Sequence, residues 1–216
     1  MILNSLKNYL DFNIVNPSVK YLSIVAFCTG IILSYFYTVV VILQKYEGYS
    51  EFIIGLVASF GPLGLIFSGF FVTKLIKKIG FYKIILIATI IQGLCMILML
   101  EFFTPINLGI GFFIGGMMGG LTWMTMDTWV NIVSNNKNRG KSIAIYNSSV
   151  TIGLAMGPLL LGLFGTSGNI PLTICIFLVV FKITSLVSIK KFVTQISIPN
   201  QSNKMKLSIL KTTSTN

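Results

Sequence analysis

The sequence predicts an all-α integral membrane protein with six transmembrane helices, because six long apolar runs follow one another along the chain. The runs cover approximately residues 20–43, 52–73, 84–103, 107–133, 143–165 and 170–189. Each has about the 20 residues that a helix needs to cross a hydrocarbon core roughly 30 Å thick. Composition agrees: 54% of the residues are apolar and 10% are charged, whereas soluble domains carry about 25% charged residues.

The runs form one predicted transmembrane domain, residues 20–189, between two polar segments. Residues 1–19 are polar and mixed and lack the pattern of a cleavable signal peptide, so we expect a cytoplasmic N-terminal segment. Residues 190–216 are expected to form a cytoplasmic basic tail, which is too polar to add a seventh span.

Basic residues occupy alternate links between the runs, and this pattern predicts the orientation. One side of the membrane receives a series of basic residues, namely Lys20, Lys74, Lys77, Lys78, Lys83, Lys137, Arg139 and Lys141. The other side receives Lys45 together with Glu47, Glu51 and Glu101, without a basic excess. Because positive charge is retained in the cytoplasm, both termini are predicted to be cytoplasmic, and a bacterial plasma (inner) membrane is the expected location.

Several function classes are excluded by composition. The net charge of +11 does not predict nucleic-acid binding, since the lysines flank apolar spans and are expected to meet membrane lipid headgroups. Cys28, Cys95 and Cys175 lie in three separate runs and histidine is absent, so no metal site or cofactor is predicted. Without a nucleophile–base pair, an enzyme is not expected. No ring of charges or filter-like segment favours a channel.

Glycines recur at four-residue spacing in two runs, as Gly111, Gly115 and Gly119, beside Gly116 and Gly120, and as Gly153 and Gly157. Lipid tails are as apolar as leucine, so helices associate in a bilayer through close packing, which small residues permit. We therefore predict that these rows are packing seams. The links between runs are short, and this predicts antiparallel neighbours that pack closely.

Two Gly-Pro pairs, Gly61-Pro62 and Gly157-Pro158, lie in the middle of apolar runs. Proline removes a helical hydrogen bond and crowds the preceding turn, which makes a kink or a weak point. A bundle that must flex has a use for two such points. We predict helix flexing at these four residues.

Asp127 is the carboxylate that lies inside an apolar run, toward the Lys-bearing side. A charge at this depth is costly and needs a partner, and the nearest cations by topology are Lys77, Lys78 and Arg139. A structural ion pair that clamps the helix ends is the favoured interpretation, and a proton relay is the alternative. Lys182, inside the last run, is expected to extend its ammonium group to the interface.

Aromatic and hydroxyl groups in the first and fourth runs are candidate cavity residues. Tyr37 and Thr38 lie in the first run and Trp123 in the fourth. If the two helices face a shared cavity, these three side chains are the ones that would contact a substrate.

The order Asp127-Thr-Trp-Val-Asn131, Arg139-Gly-Lys141, Ala144-Ile-Tyr146 and Gly153-x-x-x-Gly157-Pro158 resembles the major facilitator superfamily over about residues 107–165. The resemblance implies a six-helix half bundle built as a 3+3 inverted repeat. It also implies secondary active transport of a small solute by alternating access, with Asp127, Arg139 and Gly140 in a cytoplasmic gate. Lys77 stands where the family carries an acid, so its pairing with Asp127 is an alternative clamp.

Transporters of that superfamily have twelve spans in two halves, with the substrate cavity between them. The resemblance therefore implies that this chain acts with a second six-helix half or as a homodimer. The alternatives are a truncated or degenerate membrane protein without transport activity, and a six-helix structural or interaction subunit.

Overall fold

The structure, a computed structural model, describes residues 17–134 and 138–193, with side chains as far as Ser188. These ranges contain six long helices and no strand: α1 (Pro17–Tyr46), α2 (Glu51–Ile79), α3 (Phe81–Glu101), α4 (Pro105–Val133), α5 (Arg139–Phe164) and α6 (Ile170–Val193). All six are long and apolar enough to cross a membrane, which confirms the predicted spans. Residues 1–16 and 194–216, most of the two predicted polar segments, lie outside the described ranges.

Local signals in the sequence set several helix ends. The Ser50 side chain accepts a hydrogen bond from the backbone N–H of Ile53 at 3.4 Å and caps α2. Thr104 caps α4 in the same way, followed by Pro105 at the first helical position. Gly80 has a φ of 82°, a conformation that favours glycine, and it alone separates α2 from α3. The chain therefore reverses direction within very few residues.

Several helices extend beyond their apolar runs, and α2 and α5 do so at links that carry basic residues. The second run ends at residue 73 and the lysines after it were expected in a loop, but α2 continues to Ile79. Likewise, α5 begins at Arg139, inside the polar link before the fifth run. Hydropathy measures only apolar length, whereas lysine favours a helix and Ile76 and Ile79 still pack against the core.

The two most extensive interfaces join helices that are not neighbours in the chain, namely α1 with α5 and α2 with α4. Both pairs run parallel: along α1 and α5, Gly30 faces Val150, and Ser34 faces Gly157 further on. Consecutive helices do alternate in direction, but α1/α2, α2/α3 and α4/α5 make only small contacts. The expectation that every neighbouring pair packs closely is therefore wrong, because the small residues that permit close approach face helices further along the chain.

The interfaces have the symmetry of two inverted three-helix repeats, α1–α3 and α4–α6. Exchanging α1 with α4, α2 with α5 and α3 with α6 converts the α1/α5 interface into α4/α2 and the α3/α4 interface into α6/α1. The α3/α6 interface maps onto itself. This is the 3+3 arrangement that the sequence resemblance implies.

Glycines on these interfaces leave no room for a side chain. A Cβ atom on Gly153 would meet the backbone oxygen of Phe27 on α1, and one on Gly116 would meet the backbone oxygen of Gly61 on α2. The helix backbones are in contact at these points. The predicted seams are therefore present at Gly116 and Gly153.

Candidate functional site

A cavity of about 420 Å³ lies among α1, α2, α3 and α4, at mid-length of the helices. Its lining includes Tyr37, Gly61, Gln92, Cys95, Gly115 and Trp123. All four helices contribute, so the cavity lies between the two repeats. Solute sites of transporters built from inverted repeats lie near the bilayer midplane at this kind of junction. The cavity is therefore the candidate site.

Aromatic rings form one wall of the cavity. The ring centroids of Tyr37 and Phe112 are 4.8 Å apart, and those of Phe36 and Phe112 are 6.3 Å apart. Trp123 lines the cavity from α4, so the structure brings together two of the three predicted residues. Thr38 is outside the lining, and its hydroxyl donates a hydrogen bond to the Ser34 carbonyl at 2.7 Å.

Gln92 on α3 is a cavity residue that the sequence analysis missed. Its side chain is 6% exposed and lines the cavity, and within the described ranges its amide forms no hydrogen bond. A buried amide without a partner is costly, so the group needs water or a ligand. The sequence feature that could have identified it is that Gln92 is the one side-chain amide in the run 84–103.

The glycines of α4 have two separate roles. Gly116 and Gly120 meet α2, and Gly111 faces Met99 of α3. A Cβ on Gly115 would instead meet nothing within 4 Å, although Gly115 lines the cavity. A Cβ on Gly119 would lie 3.4 Å from the amide nitrogen of Gln92. The prediction that the whole row is a packing seam is therefore wrong at Gly115, which keeps the cavity open.

Away from the cavity, near the C-terminus of α4, the side chain of Asn131 is hydrogen-bonded to Arg139 at the start of α5. The Nε and Nη2 atoms of Arg139 donate to the side-chain oxygen of Asn131 at 3.2 and 2.8 Å. The amide nitrogen of Asn131 in turn donates to the backbone carbonyl of Asp127 at 2.8 Å. These residues lie at the Lys-rich end of the bundle, the end where α2 stops and α3 and α5 begin.

The carboxylate of Asp127 makes polar contacts with the Tyr146 hydroxyl on α5 and with the indole of Trp123. Tyr146 is 2% exposed, and its hydroxyl does not reach full hydrogen-bond geometry in this conformation. Asp127 on α4 therefore lies close to Tyr146 of α5, and through Trp123 it adjoins the cavity. Tyr146 was quoted in the resemblance but was not singled out as a site residue.

Comparison with known proteins assigns the family. The sequence model of the Major Facilitator Superfamily matches residues 22–211, nearly all of the transmembrane domain. The chain belongs to the major facilitator superfamily. A similar protein is the uncharacterized MFS-type transporter YfkF of Bacillus subtilis (strain 168), 28% identical over 156 residues. The match covers 69% of this chain and 37% of YfkF, so the chain spans less than half the length of that relative.

The predicted gate of this superfamily member is not closed by an ion pair in the structure. Lys77, Lys78, Arg139 and Gly140 are exposed, and no salt bridge joins Asp127 to any of the three cations. A Cβ on Gly140 would meet nothing within 4 Å, so packing does not require a glycine there. The gating role of all five residues stays a prediction.

The two predicted flexing points have tightly packed glycines. A Cβ on Gly61 would meet the Tyr37 hydroxyl, and one on Gly157 would meet α1 at Ser34. Pro62 and Pro158 are exposed on the same helices, α2 and α5, which the repeat symmetry makes equivalent. Flexing itself stays a prediction.

Lys182 does not reach the membrane interface. Its side chain is fully buried, and its ammonium nitrogen has no hydrogen-bond partner among the described residues. Cys28 of α1 lies near this ammonium group. The interfacial position expected for Lys182 is therefore wrong, because the residue lies on the face of α6 that packs against α1 and α3.

Proposed function

We propose that this chain is one half of a secondary active transporter that moves a small solute across the membrane by alternating access. Membership of the major facilitator superfamily points to transport in general. The observation that supports a solute site in this chain is the cavity at mid-length of the helices, which Tyr37, Gln92 and Trp123 help to line. Transport of this kind needs such a site near the midplane.

A second six-helix body completes the transporter in this proposal, either a separately encoded half or a second copy of this chain. In the most apolar windows of α2 and α5, 22% of the residues are buried, compared with 61% for α1. These two helices are equivalent in the repeat and both leave apolar faces open. The faces of α2 and α5 are therefore the surfaces on which we place the second body.

The Lys-rich end faces the cytoplasm of a bacterial inner membrane in this proposal, with both chain termini on that side. Its support is the concentration of basic residues there, since lysine and arginine close to a span are retained in the cytoplasm. Asp127, Asn131, Arg139 and Tyr146 would then lie at the cytoplasmic mouth. There, opening the contact between Asp127 and Tyr146 would separate the ends of α4 and α5.

Alternating access requires the two repeats to move relative to each other around the cavity. Gly61-Pro62 on α2 and Gly157-Pro158 on α5 are the points at which the helices can bend, because proline leaves one backbone carbonyl without its helical partner. Each pair lies beside α1, at Tyr37 and at Ser34. Bending at either pair would therefore change the packing next to the cavity.

Solute flux into membrane vesicles that contain this chain is the direct test. Vesicles with the chain alone, and with any co-expressed second half, are tested with a broad panel of radiolabelled solutes. Gln92→Leu should abolish the flux found, Asp127→Asn and Arg139→Lys should reduce it, and Leu98→Val, at an exposed position on α3 outside the cavity, should leave it unchanged. If no solute moves in either preparation, the transport proposal fails and a structural or interaction subunit is favoured.

A further inference from the structure

We propose that the cavity recognises an uncharged solute that carries a flat aromatic ring and an amide-like hydrogen-bonding group, with Gln92 as the specificity-determining residue. The inference rests on the proposed function for its role in transport. The binding site itself can be tested without any transport assay.

The cavity wall offers no charge to a solute. Among the described residues that line it, none carries a carboxylate, an ammonium or a guanidinium group. Asp127 contacts the Trp123 indole but is outside the lining, and the buried Lys182 is outside it too. An ionised solute would lose its hydration here without gaining an opposite charge, which is strongly unfavourable. The lining therefore selects against ions.

The threonine and serine hydroxyls of the lining are already engaged. Thr29 donates to the Val25 carbonyl at 2.7 Å, and Ser34 donates to the Gly30 carbonyl at 3.1 Å. Both bonds lie within α1. These two side chains therefore have no proton left to donate to a solute.

Gln92 is the polar group that remains available and is deeply buried. It is 6% exposed, faces the cavity, and has no hydrogen-bond partner within the described ranges. A side-chain amide presents one acceptor and two donors. A solute with a primary amide or a similar donor–acceptor pair can satisfy both sides of that group at once, which an aliphatic or purely apolar solute cannot do.

The space near Gln92 is lined by glycines of α4 and by aromatic rings. Gly115 leaves its position without a side chain and with nothing within 4 Å, and Gly119 adjoins the Gln92 amide. The cavity is also lined by Tyr37 and Phe112, whose ring centroids are 4.8 Å apart. A planar ring can lie over the glycines and contact these rings, since aromatic groups pack favourably in offset or tilted arrangements. The geometry thus favours an aromatic solute.

Three compounds of nearly equal shape test this inference: naphthalene-1-carboxamide, which is uncharged, naphthalene-1-carboxylate, and the 1-naphthylmethylammonium ion. The reporter is Cys95, a partly exposed thiol in the lining, whereas Cys28 and Cys175 are buried. The full chain is placed in lipid nanodiscs, and the rate at which uncharged N-ethylmaleimide alkylates Cys95 is followed by mass spectrometry with each compound. Naphthalene-1-carboxamide should slow the reaction, and the two ions should have little effect.

Matched variants distinguish protection by binding in the cavity from protection by compounds that merely partition into the membrane. Gln92→Leu keeps the size of the side chain and removes the amide, so protection by the carboxamide should weaken about tenfold. Gly115→Leu fills the free space and should abolish protection. Gly162→Leu, exposed on α5 with nothing near its Cβ position and outside the cavity, should keep it. Gly115→Ala, a smaller change at an open position, serves if the leucine variant does not fold.

Equal protection by the three compounds, no protection by the carboxamide, or protection that survives both Gln92→Leu and Gly115→Leu would each overturn the inference. These results are distinct from failure of the proposed function. If the chain transports an ionic solute but shows no such protection, the transport proposal stands and the proposed site is refuted. If the chain shows the protection but moves no solute, the proposed site stands and the transport proposal is refuted.

Discussion

Arg139 at the start of α5 donates two hydrogen bonds to a single oxygen of Asn131 at the end of α4, from Nε at 3.2 Å and from Nη2 at 2.8 Å. A planar guanidinium can present two donors to one acceptor, and an ammonium on a flexible stem cannot do so in the same fixed geometry. The link connects two helices that otherwise make only small contacts with each other.

Replacing either partner of this link should have a small effect on folding. Both side chains are exposed, so Arg139→Lys and Asn131→Ala should each lower the free energy of unfolding by about 1 kcal/mol or less. The effects should not add in the double variant, because the two residues share one interaction. Thermal unfolding of the four proteins in detergent measures this, and strictly additive losses would show that the link has no energetic weight.

Substitution of the seam glycines should separate them from the open ones. Gly153→Ala and Gly116→Ala force a Cβ against a backbone oxygen, so each should destabilise the bundle by about 1–3 kcal/mol. Gly162→Ala should be neutral or stabilising by up to about 1 kcal/mol, because alanine favours a helix and the position has free space. Unfolding in mixed micelles of increasing sodium dodecyl sulfate content reports the differences. Equal stability of all three variants would contradict the packing described.

Removal of the Lys182 ammonium group should stabilise the fold. A fully buried ammonium nitrogen without an acceptor costs more than a methionine of similar length, so Lys182→Met should raise the free energy of unfolding by about 1–4 kcal/mol. Lys78→Met, at an exposed position, is the control and should change stability by less than about 0.5 kcal/mol. A less stable Lys182→Met protein would indicate that the ammonium group has a partner after all.

The orientation can be tested with engineered cysteines in a variant in which Cys28, Cys95 and Cys175 are replaced by alanine. Gly140→Cys places a thiol at the exposed Lys-rich end, and Ser167→Cys places one in the link between α5 and α6. In intact cells, a membrane-impermeant maleimide should label Ser167→Cys and not Gly140→Cys, because basic links are retained inside. After permeabilisation both should react. Labelling of Gly140→Cys in intact cells would show that the orientation is the opposite of the one predicted.

The spans could be predicted from sequence because a bilayer imposes a length of apolar helix that no other environment requires. The ends of α2 and α5 could not, since Lys77 and Arg139 are polar residues that continue a helix beyond the hydrocarbon region. Hydropathy does not distinguish a lysine in a loop from a lysine in the last turn of a helix. The glycine rows predicted close approach, which holds at Gly116 and Gly153 but not at Gly115, and they did not indicate which helix each row meets.

The candidate site was predicted only in part for a related reason. Tyr37 and Trp123 stand out as aromatic residues in apolar runs, and they do share the cavity. Gln92 was overlooked because one polar residue in a run says nothing about the face on which it lies until the partners of α3 are known. Asn131 was likewise hidden, since its role depends on the position of Arg139 across the link.

The pairing of α1 with α5 and of α2 with α4 has a consequence for biosynthesis. When α1 enters the membrane, the helix that covers its glycine-containing face has not yet been made. Three further helices must be inserted before Gly153 can meet Phe27. Until then α1 depends on lipid or on an insertion factor for contacts, and the first three helices cannot assemble alone into the native packing. The bundle is therefore expected to assemble late and cooperatively, after the fifth helix has been synthesised and can pack against the first.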